Sequence, residues 1–187
     1  MTSLRSDHVG RTLLHWAMDY NWDIDKIGSL KDFSASNLDA QDRDGQTAMH
    51  LAVLNRNLAA IERLTFSGAS CFLKDKNGMT PVHLAADIGY RDALNYFVNM
   101  HQKEFGTTTT GATLLHIVAL WIHGGFVSRL VELKGASVNA VDESKRTPLH
   151  YAAMNNNWGA VEELVGLHSI VNARDINNMT PLHEAIR

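Results

Sequence analysis

Six of the ten histidines recur at nearly constant intervals of 35, 33, 33, 34 and 33 residues, and histidine is the commonest metal ligand and base. The six are His15, His50, His83, His116, His150 and His183. Neighbouring packed helices lie roughly 8–10 Å apart, whereas two nitrogens that bind one zinc ion must lie within roughly 4 Å. Histidines one interval apart therefore cannot share an ion, and we expect no metal site.

Other chemistry-bearing motifs are missing from the sequence. The single cysteine, Cys71, has no partner for an internal disulfide, and no base accompanies it as a nucleophile would require. The glycine-rich phosphate loops and the nucleophile elbow of hydrolases do not occur. We therefore expect no catalytic residue, no cofactor and no enzymatic activity.

Composition and charge narrow the class of protein further. With 45% hydrophobic residues the chain has enough apolar side chains for one large or two small cores. A net charge of -3, without any block of like charges, argues against direct contact with nucleic acid. The longest apolar stretch, 114–122, is far shorter than the roughly 18 residues of a membrane span, so no membrane insertion is expected. The lone cysteine and the missing signal peptide favour an intracellular protein, in the cytoplasm or alternatively the nucleus.

Each repeated histidine closes a four-residue phrase that begins with threonine and is predicted to start a short helix. The threonines are Thr12, Thr47, Thr80, Thr113, Thr147 and Thr180. Threonine is a common helix N-cap, and the three prolines of the chain all follow this threonine, where the first turn of a helix accepts proline. We expect the threonine to cap its helix and the imidazole to hydrogen-bond backbone near the neighbouring turn.

The segments around the phrase complete a unit that cannot fold alone. Asp-rich turn signals precede it, and Asn21, Gly89 and Asn156 stand where a left-handed residue would end the short helix. A second apolar stripe follows at helical spacing, as in 58–64 and 158–165. Because one such helix pair cannot bury its own stripe, the units must stack on one another.

The period and the phrase resemble the ankyrin repeat family, whose Thr-Pro-Leu-His signature stands intact at 147–150 and 180–183. The Gly-Ala pairs at 68–69 and 135–136 and the Val-Asn-Ala segments at 138–140 and 171–173 also match the family. The resemblance implies an all-α solenoid, with β-turn or hairpin tips and stacked antiparallel helix pairs, as one elongated curved domain over 1–187. The repeats would span approximately 7–41, 42–74, 75–107, 108–141, 142–174 and the incomplete 175–187.

Some positions depart from the family pattern. The fourth repeat carries Thr107 to Thr110 in place of an acidic tip, so we expect local irregularity around 101–111. Its extra residue is predicted at Gly124-Gly125, in the turn between its helices. The last repeat stops inside its first helix, which predicts that the native polypeptide continues. The aromatic residues expected to pack internally are Trp16, Trp22 and Trp158.

The resemblance implies that partners bind the tips and the exposed face of the short inner helices. The positions four and five residues after each repeated histidine are rich in large apolar side chains. A continuous apolar strip exposed to solvent is rare and usually marks an interaction site. The residues predicted to contact a protein or peptide partner on this concave face are Tyr20, Leu54, Met79, Asp87, Ile88, Leu120, Trp121, Arg146 and Met154. Alternatively Leu54 and Leu120 turn inward and fill gaps between helices.

The sequence thus favours a non-catalytic protein–protein interaction module, a scaffold or adaptor. The alternative is a substrate-docking or regulatory ankyrin arm of a larger enzyme or membrane channel whose other domains lie outside this chain. The pattern indicates neither the partner nor the oligomeric state.

Overall fold

A computed structural model describes residues 6–22, 35–100, 105–121 and 125–187, and these ranges are helical with no β-strand. The all-α prediction is confirmed; the described ranges add only an isolated antiparallel bridge between Thr107 and Thr113. The helices are α1 (Leu13–Asp19), α2 (Ala35–Leu38), α3 (Ala48–Leu54), α4 (Leu58–Phe66), α5 (Pro81–Asp87), α6 (Arg91–Met100), α7 (Leu114–Trp121), α8 (Phe126–Lys134), α9 (Pro148–Met154), α10 (Trp158–Gly166) and α11 (Pro181–Ala185). None of the helices in these ranges has the length and apolar character that crossing a bilayer requires.

The chain forms two compact units, one of Met1–Ala85 with Tyr90–Phe97 and one of Ala86–Gly89 with Val98–Arg187. In the first unit, α1 packs against α3 and α3 against α4. In the second unit, α9 lies between α7 and α11, and α10 packs on α8 and α9. Short helices therefore lie beside short helices within each unit, as stacked repeats require. One curved domain over the whole chain stays a prediction.

Among the described helix ends, α1, α3, α5 and α9 are followed by a left-handed residue, in three cases at the position that the sequence predicts. Asn21, Gly89 and Asn156 have φ values of 51°, 64° and 52°. Arg56 adopts the same conformation with a φ of 52°, although its residue type gives no such signal. The next amide N–H in each case donates to a carbonyl five residues back, at 2.8–2.9 Å. This bond closes the helix end and reverses the chain into the second helix.

The second helix of each pair also buries apolar residues. In α10 the buried residues are Ala160 and Leu164, one turn apart. Trp158, predicted to pack internally, is 69% exposed because it lies two residues, about 200°, around the helix from Ala160. Trp22 is 45% exposed, so its prediction is also wrong, whereas Trp16 is half-buried on α1.

The extra residue of the fourth repeat is predicted at Gly124-Gly125, and residues 122–124 lie outside the described ranges. The buried residues of α8 stand 10, 11 and 14 residues after His116, the same offsets at which the buried residues of α4 follow His50. The second helix of the fourth repeat therefore buries the same positions as that of the second repeat.

Each tip is held by the side chain eight residues before the repeated histidine. The Asp42 carboxylate accepts hydrogen bonds from the Asp44 and Gln46 amides, both at 2.9 Å. In the fourth repeat the Thr108 hydroxyl accepts from the Ala112 amide at 3.2 Å. A hydroxyl thus replaces the carboxylate in the same turn. The irregularity expected around 101–111 is therefore not found at the turn that Thr108 holds. Residues 101–104 lie outside the described ranges.

Candidate partner-binding surface

The repeated threonine and histidine form a closed hydrogen-bonded link to the next tip. Nδ1 of His50 accepts from the Thr47 backbone N–H at 3.1 Å and from the Thr47 hydroxyl at 2.9 Å, while Nε2 lies 3.1 Å from the Met79 carbonyl oxygen. A carbonyl only accepts, so Nε2 carries the proton and the imidazole is neutral. The same link joins His15 to Gln46, His116 to Arg146, and His150 to Met179.

The buried imidazoles are poor bases. Burial lowers the pKa of His50 and of His116 below the usual 6.5, because the interior disfavours the charged form. Protonation at Nδ1 would also break the bond from the threonine amide. In the part of the chain that the structure describes, no group of three His, Cys, Asp or Glu side chains is arranged to hold a metal ion. These histidines therefore build the scaffold.

In the second unit, an exposed tryptophan is fixed by the preceding repeat. Nε1 of Trp121 donates to Oδ1 of Asp87 at 3.0 Å, across 34 residues of sequence. Trp121 is 45% exposed and Asp87 is exposed as well, while Ile88 and Leu120 are half-buried. Met154 of the following repeat is also exposed. The structure therefore leaves an oriented indole ring accessible at the end of α7.

Two asparagines on the short helices hold neighbouring repeats together. The Asn155 side-chain amide donates to the Leu120 carbonyl at 2.8 Å, and the Asn55 amide donates to the Met18 carbonyl at 2.8 Å. Each asparagine thus ties its helix to the C-terminal end of the preceding short helix, where carbonyls lack partners within the helix. The preceding residues, Leu54 and Met154, form no such bond to the backbone of another repeat in the described structure.

Arg146 lies at a tip and is held by side chains of its own repeat. Its Nε and Nη2 donate to Oδ2 of Asp142 at 2.9 and 2.8 Å, and its guanidinium lies 5.0 Å from the Tyr151 ring centroid. Burial alone would raise the pKa of Asp142, but hydrogen bonds from Arg146 and Tyr151 outweigh it and hold this pKa below its ordinary value. Burial and the same carboxylate raise the pKa of Tyr151 to about 12. The tip is therefore rigid and carries little net charge.

The predicted contact residues of the first unit differ in exposure. Tyr20 is 64% exposed, Leu54 is exposed and Met79 is half-buried. Leu54 is thus not wholly turned inward, whereas Leu120 of the second unit is covered more than it is open. That the residues of the two units bind one partner stays a prediction.

Glu163 forms a polar link between repeats that the sequence does not predict. Oε1 of Glu163 on α10 accepts from the Gly125 amide at 2.6 Å, and Oε2 accepts from the Ser128 amide and hydroxyl, both at 2.9 Å. A carboxylate at the start of α8 also interacts favourably with the positive end of the helix dipole. No sequence signal announces the link, because the groups lie 35 to 38 residues apart.

Comparison with known proteins identifies the class that this architecture belongs to. The family profile of ankyrin repeats, in three copies, matches residues 57–142 and 115–187. The chain therefore belongs to the ankyrin repeat family, as its phrase predicts. Ankyrin repeats are generally protein–protein interaction modules, and the family is typically non-catalytic.

Relatives of this chain include a channel and scaffold-like proteins. It is 31% identical to the transient receptor potential cation channel subfamily A member 1 of Drosophila melanogaster over 78% of the chain and 12% of the relative. It is 30% identical to the B-cell lymphoma 3 protein homolog of Mus musculus over 97% and 42%. It is 28% identical to the human SH3 and multiple ankyrin repeat domains protein 2 over 95% and 10%. The chain thus spans less than half the length of these relatives.

Proposed function

We propose that this chain is a non-catalytic module that holds a protein or peptide partner on a row of exposed and half-buried side chains of its short helices and tips. The row comprises Tyr20, Leu54, Met79, Asp87, Ile88, Leu120, Trp121, Arg146 and Met154. The observation that carries the proposal is the Trp121 indole, exposed on α7 yet held by a hydrogen bond to Asp87.

The fixed indole suits an interface. Tryptophan is enriched among the few residues that supply most of the binding energy in protein complexes. A side chain that is already oriented loses less conformational freedom on binding than a mobile one. Leu120, next to Trp121 in sequence, and Met154 of the following repeat offer further apolar surface on the short helices, and the Arg146 tip offers a polar rim.

The chemistry of the described residues favours binding over catalysis. Cys71 is buried, and burial raises its pKa to about 12, so its thiol is a poor nucleophile at neutral pH. The neutral histidines have both ring nitrogens engaged with backbone or threonine, as at His50 and His116. Such groups are not free to move a proton for a substrate.

Affinity purification with three forms of the protein tests the proposal. The wild type, Trp121→Ala and Phe66→Ala would be compared by quantitative mass spectrometry; Phe66 is an exposed aromatic residue on α4, away from the row. We expect Trp121→Ala to deplete a partner that Phe66→Ala retains. Equal recovery of every protein with Trp121→Ala and with wild type would reject the row as the binding surface.

A second candidate is a regulatory or docking arm of a larger enzyme or channel. The similarity to a cation channel, of which this chain spans 12%, favours it. Mass spectrometry of the intact protein purified from its native cell tests this candidate. A mass near 20.7 kDa would contradict it, whereas a much larger polypeptide would support it.

A further inference from the structure

Asp87 and Trp121 place a carboxylate beside an exposed aromatic ring in the second unit. Each is the last residue of a short helix, and Nε1 of Trp121 donates to Oδ1 of Asp87 at 3.0 Å. Asp87 is exposed, and Trp121 is 45% exposed. Within the described ranges, Asp87 forms no ion pair and no cation lies over the Trp121 ring. The charge of this carboxylate is therefore not paired within those ranges.

The first repeat shows which side chain such a carboxylate binds in this chain. Asp19 stands four residues after the repeated histidine of its repeat, as Asp87 does in the third repeat. Arg11 forms an ion pair with Asp19, and its guanidinium also lies 5.5 Å from the Trp16 ring centroid. One guanidinium thus contacts a carboxylate and an indole ring at the same time.

A second arginine of the chain makes the same pair of contacts. Nη2 of Arg146 lies 2.8 Å from Oδ2 of Asp142, and the guanidinium lies 5.0 Å from the Tyr151 ring centroid. A planar guanidinium suits this arrangement, because it stacks on a ring while its N–H groups remain free to donate to a carboxylate. A carboxylate next to an aromatic ring is therefore an arginine site twice in this chain.

The third repeat has no arginine at the corresponding position. Arg11 stands four residues before the repeated histidine of its repeat, and the residue at that position in the third repeat is Met79. The short helices α5, α7, α9 and α11 contain neither lysine nor arginine. A guanidinium for Asp87 is therefore left for a partner to supply.

The Trp121 ring itself favours a cation. Its N–H edge is directed at Asp87, and the two faces make up most of the surface of an indole, so an exposure of 45% includes a large part of a face. The face of a tryptophan ring attracts cations. The hydrogen bond to a carboxylate strengthens this attraction, because it polarises the ring toward negative charge.

We propose that Asp87 and Trp121 bind an arginine side chain of a polypeptide partner, which donates to Oδ2 of Asp87 and lies over the exposed part of the Trp121 ring. This inference rests on the proposed function, because it names the chemistry of the partner at the Trp121 position. It predicts that the partner segment which meets the end of α7 carries an arginine.

Nuclear magnetic resonance titration of the full chain tests the inference without any knowledge of the partner. The probe is a capped Gly-Arg-Gly tripeptide, and its matched control is the same peptide with uncharged citrulline in place of arginine. We expect the arginine peptide to give a saturable shift of the Trp121 indole N–H signal and the citrulline peptide to give none over the same concentrations. No saturable shift, or equal shifts with both peptides, would overturn the inference.

Two variants with the same loss of charge locate the effect. Asp87→Asn keeps a side-chain oxygen that accepts from the indole but removes the negative charge, so we expect about two- to fivefold weaker binding of the arginine peptide, the range of a surface ion pair. Glu132→Gln removes an exposed carboxylate on α8 and should leave the affinity unchanged. Equal affinities of Asp87→Asn and wild type would contradict the inference.

The affinity purification with Trp121→Ala separates this inference from the proposed function. A partner that Trp121→Ala depletes, together with a failed peptide titration, would reject the arginine and leave the proposed function standing.

Discussion

The short helices carry two rows of side chains with opposite behaviour. On α7, His116 is fully buried and links to the next tip, whereas Trp121, five residues later, is exposed. The threonine and histidine of the repeated phrase, which form the buried row, are the same in every repeat, whereas the positions four and five residues after the histidine change from Asp19 and Tyr20 to Leu54 and Asn55 and to Leu120 and Trp121. Stacking therefore depends on the repeated row, and the other row is free to vary for recognition.

The first prediction removes one member of the buried row. His50→Ala leaves the Thr47 amide and the Met79 carbonyl without their partner and opens a cavity, so we expect about 2–4 kcal/mol lower free energy of unfolding. Urea denaturation followed by circular dichroism measures it. His50→Gln is the matched control, since glutamine at this position completes a capping box and should lose less. Equal losses in both variants would show that the hydrogen bonds contribute little.

A smaller loss of stability is expected when the carboxylate that holds a tip is removed. Asp142→Ala removes the acceptor of the Arg146 amide, the Arg146 guanidinium and the Tyr151 hydroxyl, and should lower the free energy of unfolding by about 1–3 kcal/mol. Asp44→Ala, at an exposed tip carboxylate, should stay within about 0.5 kcal/mol of wild type. If both variants were equally stable, the tip would not depend on its buried carboxylate.

The buried row also predicts how stability responds to acid. The pKa of His50 and of His116 is lowered in the folded chain, so below about pH 6.5 the unfolded chain binds protons that the folded chain does not. The urea concentration at the unfolding midpoint should therefore decrease as the pH is lowered from 7.5 to 5. His50→Gln removes one of these groups and should flatten that dependence. A midpoint that rises on acidification would reverse the assigned protonation states.

A smaller effect on stability than that of His50→Ala is expected in the exposed row. Trp121→Ala removes one hydrogen bond to Asp87 at the surface and should change the free energy of unfolding by no more than about 1 kcal/mol. The same urea experiment measures it beside His50→Ala. A loss as large as that of His50→Ala would mean that Trp121 belongs to the core.

The architecture was predictable because its signals are local. The Thr-to-His phrase depends on four consecutive residues, and the left-handed ends at Asn21, Gly89 and Asn156 depend on single residue types. The period is visible because the same short phrase returns six times. These signals gave the family and the bonding of the imidazoles. The Thr108 tip shows that even a changed residue type keeps the turn when its side chain still accepts the same hydrogen bond.

Features that depend on contacts between repeats were not predictable. The exposure of Trp158 depends on which side of α10 faces its neighbours, and the link from Glu163 to Ser128 joins groups 35 residues apart. The stacking of the Tyr20 ring on the Trp22 ring needs the backbone turn at Asn21 as well as the residue types.

Two measurements on Trp121→Ala, its affinity for a partner and its stability, test most directly whether the buried row stabilises the fold while the exposed row binds. Once a partner is identified, its Kd for Trp121→Ala and the urea midpoint of that variant would be compared with those of wild type and Phe66→Ala. We predict a Kd at least about tenfold weaker for Trp121→Ala, as for a central interface anchor, with a nearly unchanged midpoint. A Kd equal to that of wild type, or a weaker Kd accompanied by a large fall in the midpoint, would contradict the account.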